Sequence, residues 1–217
     1  MQLAIFDLDN TLIAGDSDYL WGEFLCENRL IDEKSYHAEN KRYYDDYRKG
    51  ELDIVEFLQF QLKFIAGKKH EELDILRQRF IDEKIRPILL QKATDLIEDH
   101  RSKNHQLLVI TATNRFITEP ISRLYGIEDL IATEVEINNG IYTGRHQGIP
   151  SYAGGKITRL ENWLTEKAST PGESWFYSDS HNDIPLLNYV DHPVAVDPDD
   201  TLERHARENG WKIISLR

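Results

Sequence analysis

The sequence predicts an α/β fold, a mostly parallel sheet with helices on both faces, carrying a small helical insertion. Three observations predict it. An apolar run at residues 2–6 reads as a short buried strand and opens the chain. From Pro87 onward, short apolar runs alternate with amphipathic helical patterns, the rhythm of strand–helix–strand units in a parallel sheet. Between these two regions, residues 16–85 keep helical spacing and contain no convincing strand.

Taken in order, QLAIF is the first strand. Leu20 with Phe24 and Trp21 with Leu25 give a helical spacing of four. Asp32 can cap a helix running through Tyr36, Tyr43, Tyr44 and Tyr47 to Gly50. Asp53 and Glu56 resemble a capping box, followed by Phe57, Leu58 and Leu62 and a stop at Gly67. Leu73, Leu76 and Phe80 continue the period. This charge-rich stretch reads as a helical insertion of its own, with expected bounds 15–85, set into a core of residues 1–14 and 86–217.

Pro87 suits a helix start leading to Leu89, Ala93, Leu96 and Ile97. QLLVITAT is a buried strand, and a helix to Gly126 follows. TEVEINNGIYTG alternates around Asn139-Gly140, a strong hairpin signal. KITRLENWL is an amphipathic helix, and SWFYS, PVAV and WKIISL are three further short strands.

Composition narrows the function. The chain of 217 residues carries a net charge of −12, with a pI near 5.1 and a mean hydropathy of −0.54. That balance argues against broad nucleic-acid binding and against attraction to anionic membranes. No apolar run approaches the roughly 20 residues of a membrane span. No basic stretch precedes an apolar run and cleavage site, so no export signal is expected. The single cysteine, Cys26, has no internal partner and suits a reducing cytoplasm; its place beside Leu25 reads as packing. In so acidic a chain, a phosphate-bearing ligand needs a local cluster of metal ions, lysines or amides.

Ligands of such sheets gather beyond the C-terminal ends of the strands. The first strand delivers Asp7 and Asp9, separated by Leu8. The LLVI strand delivers Thr111, and the WFY strand Asp179, with Asp183 four residues on. Lys156 follows AGG at a helix start. Three acidic side chains from two strands make an oxygen-rich site that suits Mg²⁺. Such an ion offsets the repulsion between crowded carboxylates and draws in a phosphate. Each residue alone has a plainer account. Asp7, Asp9, Asp179 or Asp183 could cap a turn or helix, Thr111 could serve β-propensity, and Lys156 could be a solvated helix lysine. His181 reads as an exposed loop residue, with a substrate contact as the alternative, and the tyrosines of the second insertion helix as core at least as readily as substrate wall.

FDLDNT, the isolated Thr111, Lys156 and SDSHND together resemble the four motifs of the haloacid dehalogenase superfamily of phosphohydrolases, in order and across essentially the whole chain. The likeness implies a Rossmann-like core with a helical type-1 cap. It is closest to the branch of phosphoserine phosphatases and some bacterial histidinol-phosphate phosphatases. Roles follow from the resemblance. Asp7 is the nucleophile that forms an aspartyl-phosphate, and Asp9 is the acid and then the base. Mg²⁺ is held by Asp7, the Asp9 carbonyl and Asp179. Thr111 with Ala112, Lys156 and Asn182 bind the phosphate, and Lys156 also keeps Asp7 ionised. Asp183 orients metal waters or Lys156.

For the substrate, a small phosphate ester, Asp16 stands where that branch receives a substrate ammonium group, with Asp18 nearby. The branch's carboxylate-gripping arginine is replaced by Gln61, and its SGG loop by TATNRF. Both departures favour histidinol phosphate over phosphoserine, unless Arg42, Arg48 or Arg115 supplies the missing charge. A phosphotransferase, a non-catalytic phosphate-binding module, a DxD glycosyltransferase and a lipid phosphatase are the other classes weighed. Oligomeric state is not legible.

Overall fold

β1 (Leu3–Phe6) is four residues long and wholly buried. Its side chains divide by the two-residue period of an extended chain: Ala4 and Phe6 enter one hydrophobic cluster, Leu3 and Ile5 the other. The computed structural model describes residues 1–49 and 51–217, with every side chain except that of Arg48. The helix stop expected at Gly50 and the charge expected of Arg48 lie outside the described residues.

The remaining strands are β2 (Gln106–Asn114), β3 (Leu130–Asn138), β4 (Ile141–Gln147), β5 (Ser174–Ser178), β6 (His192–Val196) and β7 (Lys212–Ile214). They lie in the order β4-β3-β2-β1-β5-β6-β7. Every neighbouring pair is parallel except the β3–β4 hairpin. Its turn has φ of 51° at Asn139 and 77° at Gly140, the positive values a tight two-residue hairpin requires. The chain builds outward from β1 through β2 to the hairpin, then returns to β5 and builds the other way. The reversal beside β1 opens a crevice at the C-terminal strand ends.

The helices are α1 (Ser17–Glu27), α2 (Glu33–Lys49), α3 (Ile54–Leu62), α4 (His70–Phe80), α5 (Gln91–Ser102), α6 (Arg115–Leu124), α7 (Gly154–Glu166), α8 (Ile184–Leu187) and α9 (Asp200–Glu208). None is long and apolar enough to cross a membrane among the described residues. Two local expectations need correction. Pro87 lies in a single 3-10 turn, Arg86–Ile88, and α5 starts only at Gln91. The returning chain is held extended there because Leu89 bridges to Ile13, and Ala14 N–H donates to Ile88 O at 2.9 Å. Asp53 caps α3 through Val55 and Glu56 N–H, but Glu56 does not close a capping box; its carboxylate takes Arg42 at 2.9 Å.

Within the inserted segment Tyr36 and Tyr43 pack on Phe60, and the segment is also joined to the sheet by a shared apolar cluster. Trp21 stacks on Phe24 and meets Phe80 edge-on, and it packs edge-on against Phe116 of α6 at 5.6 Å. One apolar cluster runs from Leu62, Leu73 and Phe80 to Phe6 and Val109 in the sheet. The helices α1 and α2 meet at Gly22, where an added Cβ would stand 1.7 Å from the Tyr36 hydroxyl oxygen. Tyr36 is itself buried and cannot swing to solvent without opening the seam. Gly22→Ala is therefore expected to destabilise the fold by about 1–3 kcal/mol, read as a lower urea midpoint; a midpoint equal to the wild type would contradict this packing.

Candidate active site

Asp7 N–H donates to Tyr177 O at 2.9 Å, so the residue after β1 is still held beside β5. The chain then coils tightly: Leu12 N–H reaches back to Leu8 O at 2.9 Å, and Asn10 adopts φ of 56°. This coil separates the two acidic side chains. Asp7 Oδ1 accepts from Lys156 Nζ at 2.8 Å. Asp9 turns elsewhere, with Oδ1 accepting Ser17 N–H at 2.7 Å and Oδ2 accepting the Thr113 hydroxyl at 2.8 Å. Different donors on different elements thus hold two carboxylates that are adjacent on one segment.

Lys156 sits in the first turn of α7, only 3 % exposed. The turn before it holds Ala153 at φ 46°, a left-handed conformation that costs a non-glycine residue energy. Its ammonium lies between Asp7 and Asp183 Oδ2, 2.7 Å from the latter, which also accepts the Ser178 hydroxyl at 2.7 Å. Asp183 thus stands on the lysine. Asp179, just past β5, is joined to Asp7 through Thr11. The Thr11 hydroxyl lies 3.3 Å from Asp7 Oδ2 and 3.2 Å from Asp179 Oδ1, and accepts Asp179 N–H at 3.1 Å. One hydroxyl proton serves one carboxylate at a time, so the other is left for a cation.

The electrostatics say the same. Burial pushes Asp7 up to about 7 against the pull of Lys156, with Asp183 and Asp9 adding repulsion. The Lys156 ammonium acts on Asp7 in the direction expected of it, favouring the ionised carboxylate against burial. Burial also lifts Asp9 to about 6, with Asp16 adding to it and Ser17 and Thr113 opposing. Burial and then the Asp7 charge raise Asp179 well above the usual range. Two crowded, partly neutralised carboxylates sharing a hydroxyl form an oxygen donor set that fits a hard divalent cation. Among the described residues no group of three or more carboxylate, imidazole or thiol side chains is gathered as a metal cluster, here or elsewhere, so these two carboxylates would need further oxygen donors to complete a cation's shell.

A cavity of about 820 Å³ extends from these residues between the sheet and the inserted helices. Thr111, Ala112, Asn182 and Asp16 all line it. The β2–β3 register slips between Ile110 and Asn114, which takes Thr111 to Thr113 out of the regular ladder at the crevice. Thr111 Oγ1 accepts Thr113 N–H at 3.2 Å, and Asn182 Oδ1 accepts the Tyr152 hydroxyl at 3.0 Å. Gln61 lines the cavity too, buried, whereas Arg115 is committed to Glu134 and Arg42 to Glu56, and neither reaches the cavity.

Sequence reasoning missed the supports. Thr11, Ser178 and Thr113 stand inside FDLDNT, SDSHND and TATNRF, so their signal was in view; Tyr152 carried none. Tyr47 on α2 bonds the Ser180 hydroxyl at 2.7 Å and ties the inserted segment to the β5 loop. His181 is half-buried, with N–H and Nδ1 both on Asp199 at 2.8 and 2.7 Å, and not the exposed loop residue expected. Of the tyrosines, Tyr36 and Tyr43 are buried and Tyr44 is 58 % exposed, and Tyr43, Tyr44 and Tyr47 line the cavity.

A parallel sheet with acidic residues, a threonine and a buried lysine at its C-terminal crevice defines a phosphate-ester hydrolase of the α/β type. The chain belongs to the haloacid dehalogenase-like hydrolase family, which it matches over residues 4–188, and it is a phosphatase of that family. It is 44 % identical over 220 residues to the histidinol-phosphatase of Neisseria meningitidis serogroup C (strain 8013), covering 100 % of this chain and 99 % of that protein. It is 30 % identical to the phosphoserine phosphatase SerB1 of Mycobacterium tuberculosis (strain ATCC 25618 / H37Rv), covering 99 % of this chain and 70 % of that one. A crystal structure of a protein of unknown function from Bordetella pertussis Tohama I superposes with a TM-score of 0.94 at 39 % identity, covering 100 % of this chain and 99 % of that one.

Proposed function

We propose that this phosphatase hydrolyses histidinol phosphate through a phosphorylated Asp7, with Mg²⁺ as its cofactor. The observation that carries the reading is the divergence of Asp7 and Asp9: one carboxylate rests on Lys156 at 2.8 Å while the other is aimed away by Ser17 and Thr113. A nucleophile and a proton donor need that separation. Asp7 attacks phosphorus, forming an O–P bond as the ester P–O bond breaks, and Asp9 gives its proton to the departing alkoxide. Water then attacks the phosphorylated Asp7, and Asp9 takes the water's proton as free phosphate leaves. A carboxyl near 6 is suited to both transfers at neutral pH.

Asp7, Asp179 and the Asp9 carbonyl would hold Mg²⁺, which when bound neutralises charge on the phosphoryl oxygens. Lys156 and the Thr111 hydroxyl, with Ala112 and Asn182, hold those oxygens. Asp183 orients Lys156. We take residues 15–85 as the cap, closed on the core through Tyr47 and Ser180. A cytoplasmic setting suits the buried Cys26 thiol.

The substrate reading rests on the cavity's charge. Asp9, Asp16 and Asp18 line it, and a neutral amide, Gln61, stands on α3. A substrate carboxylate would face like charge there with no described arginine to grip it. The 44 % identical Neisseria protein, named histidinol-phosphatase, agrees with this. In a panel of amino-alcohol, amino-acid, sugar and lipid phosphates, histidinol phosphate is expected to exceed phosphoserine in kcat/KM by about 10²-fold or more. Activity is expected to vanish in EDTA and return with Mg²⁺. The reverse substrate order, or turnover indifferent to EDTA, overturns the reading.

A further inference from the structure

Asn182 carries an ambiguity that every side-chain amide has. Its oxygen accepts and its nitrogen donates, the two ends have nearly the same shape, and rotation by half a turn exchanges them. Only one end suits a phosphate: the nitrogen donates to phosphoryl oxygens, whereas the oxygen repels them. Asn182 lines the cavity together with Lys156 and Thr111, so the end that faces the ligand matters.

The structure holds that choice from outside the loop. The Tyr152 hydroxyl, which also lines the cavity, donates to Asn182 Oδ1 at 3.0 Å. On the other side, Asn182 Nδ2 makes only a long contact to Ser180 Oγ, at 3.4 Å. That oxygen already accepts Asn182 N–H at 3.2 Å and is bonded to the Tyr47 hydroxyl at 2.7 Å. The amide oxygen is thus engaged, and the nitrogen keeps donor capacity to spare.

Tyr152 is itself placed by a stiff piece of chain. Ser151 N–H, directly before it, donates to Thr133 Oγ1 at 3.1 Å, and the Thr133 hydroxyl donates to Ala112 O at 2.7 Å. Gly155 N–H donates to Tyr152 O at 2.8 Å, and an added Cβ at Gly155 would stand 2.3 Å from Pro150 O. Between them lies Ala153, with φ of 46°. A non-glycine residue persists in that region only where its surroundings over-determine it. The loop that delivers Lys156 at one end therefore delivers the Tyr152 hydroxyl at the other, and it is tied to the end of β2.

We propose that Tyr152 is a positioning residue for phosphoryl recognition, one that fixes the Asn182 amide with its nitrogen toward the phosphate. This rests on the reading above that Asn182 binds the phosphate, and it deepens that reading. Because the contact acts on the phosphoryl end of the substrate, its effect is the same for every leaving group.

The test uses Tyr152→Phe, which removes one oxygen and keeps the ring, Asn182→Ala and the double variant, with inorganic phosphate as a competitive inhibitor. Tyr152→Phe is expected to weaken phosphate inhibition by about tenfold and to lower kcat/KM by a similar factor. The loss is the same for histidinol phosphate and 4-nitrophenyl phosphate, whose leaving groups differ in charge and basicity. In the Asn182→Ala background, adding Tyr152→Phe changes either quantity by less than about twofold, because the amide it positions is gone. A merely structural Tyr152 would give additive losses. An inhibition constant belongs to the folded fraction, so partial unfolding does not imitate the result.

Additive losses in the double variant, a loss confined to one ester, or unchanged phosphate inhibition in Tyr152→Phe overturns the inference. Failure of the Asn182 reading looks different. There, Asn182→Ala itself would bind phosphate as tightly as the wild type, and the inference would fall with it.

Discussion

Asp7→Asn is expected to lose at least about 10³-fold in turnover while folding as well as the wild type. Asparagine keeps the shape of the side chain, so the Thr11 hydroxyl and Tyr177 carbonyl that position residue 7 keep their partner. Its amide oxygen is a poor nucleophile, and the phosphorylated intermediate cannot form. Lys156 is not stranded by the change, because Asp183 still holds its ammonium at 2.7 Å. The substitution also removes one of several carboxylates that burial and mutual repulsion lift out of the ordinary range. A melting temperature equal to or above that of the wild type, measured without added metal, is therefore expected. Turnover of histidinol phosphate within tenfold of wild type would exclude Asp7 as the nucleophile.

The residues behind that prediction were legible because the fold presents them at the simplest places a sequence marks. Asp7 and Asp179 follow short apolar runs, and a polar residue directly after a buried strand falls in the crevice. Lys156 was legible for a related reason, standing after two glycines at a helix start. What the sequence left open depends on partners far along the chain. Nothing local states that β1 lies between β2 and β5, or that Thr11 meets a carboxylate 168 residues away. Asp16 and Asp18 look alike in one dimension. In the fold both line the cavity, but Asp16 caps α1 from its exposed end whereas Asp18 is buried inside the first turn. Pro87 misled because the pairing of Leu89 with Ile13 outweighs the proline's preference for a helix start. Glu56 misled because Arg42 lies within its reach from another helix.

Lys156→Met should injure both activity and stability, and the pH dependence of the injury identifies its cause. Methionine retains an apolar stem of similar length, so the cavity left in the interior is small. The charge is what disappears. Asp7 and Asp183, with side chains 10 % and 4 % exposed, lose the ammonium they share at 2.8 and 2.7 Å. Breaking a buried pair by removing one partner costs about 3–5 kcal/mol, because the remaining carboxylates must stay ionised in a poor solvent or take up protons. In the folded variant Asp7 loses the ammonium that opposes the effect of burial, so its affinity for protons rises, while in the unfolded chain it remains an ordinary carboxylate near 4. Wild-type Asp7, near 7 when folded, already makes stability fall as pH rises above about 4, and the still higher proton affinity in the variant makes that fall steeper and carries it to higher pH. Urea midpoints of wild type and variant are expected to lie close together at pH 5 and far apart at pH 8. The lysine also lies over the Phe176 ring, 5.7 Å from its centroid, and loss of that contact would weaken the fold equally at every pH. A pH-independent deficit would therefore assign Lys156 to packing, whereas a widening one assigns it to the charge pairing with Asp7 and Asp183.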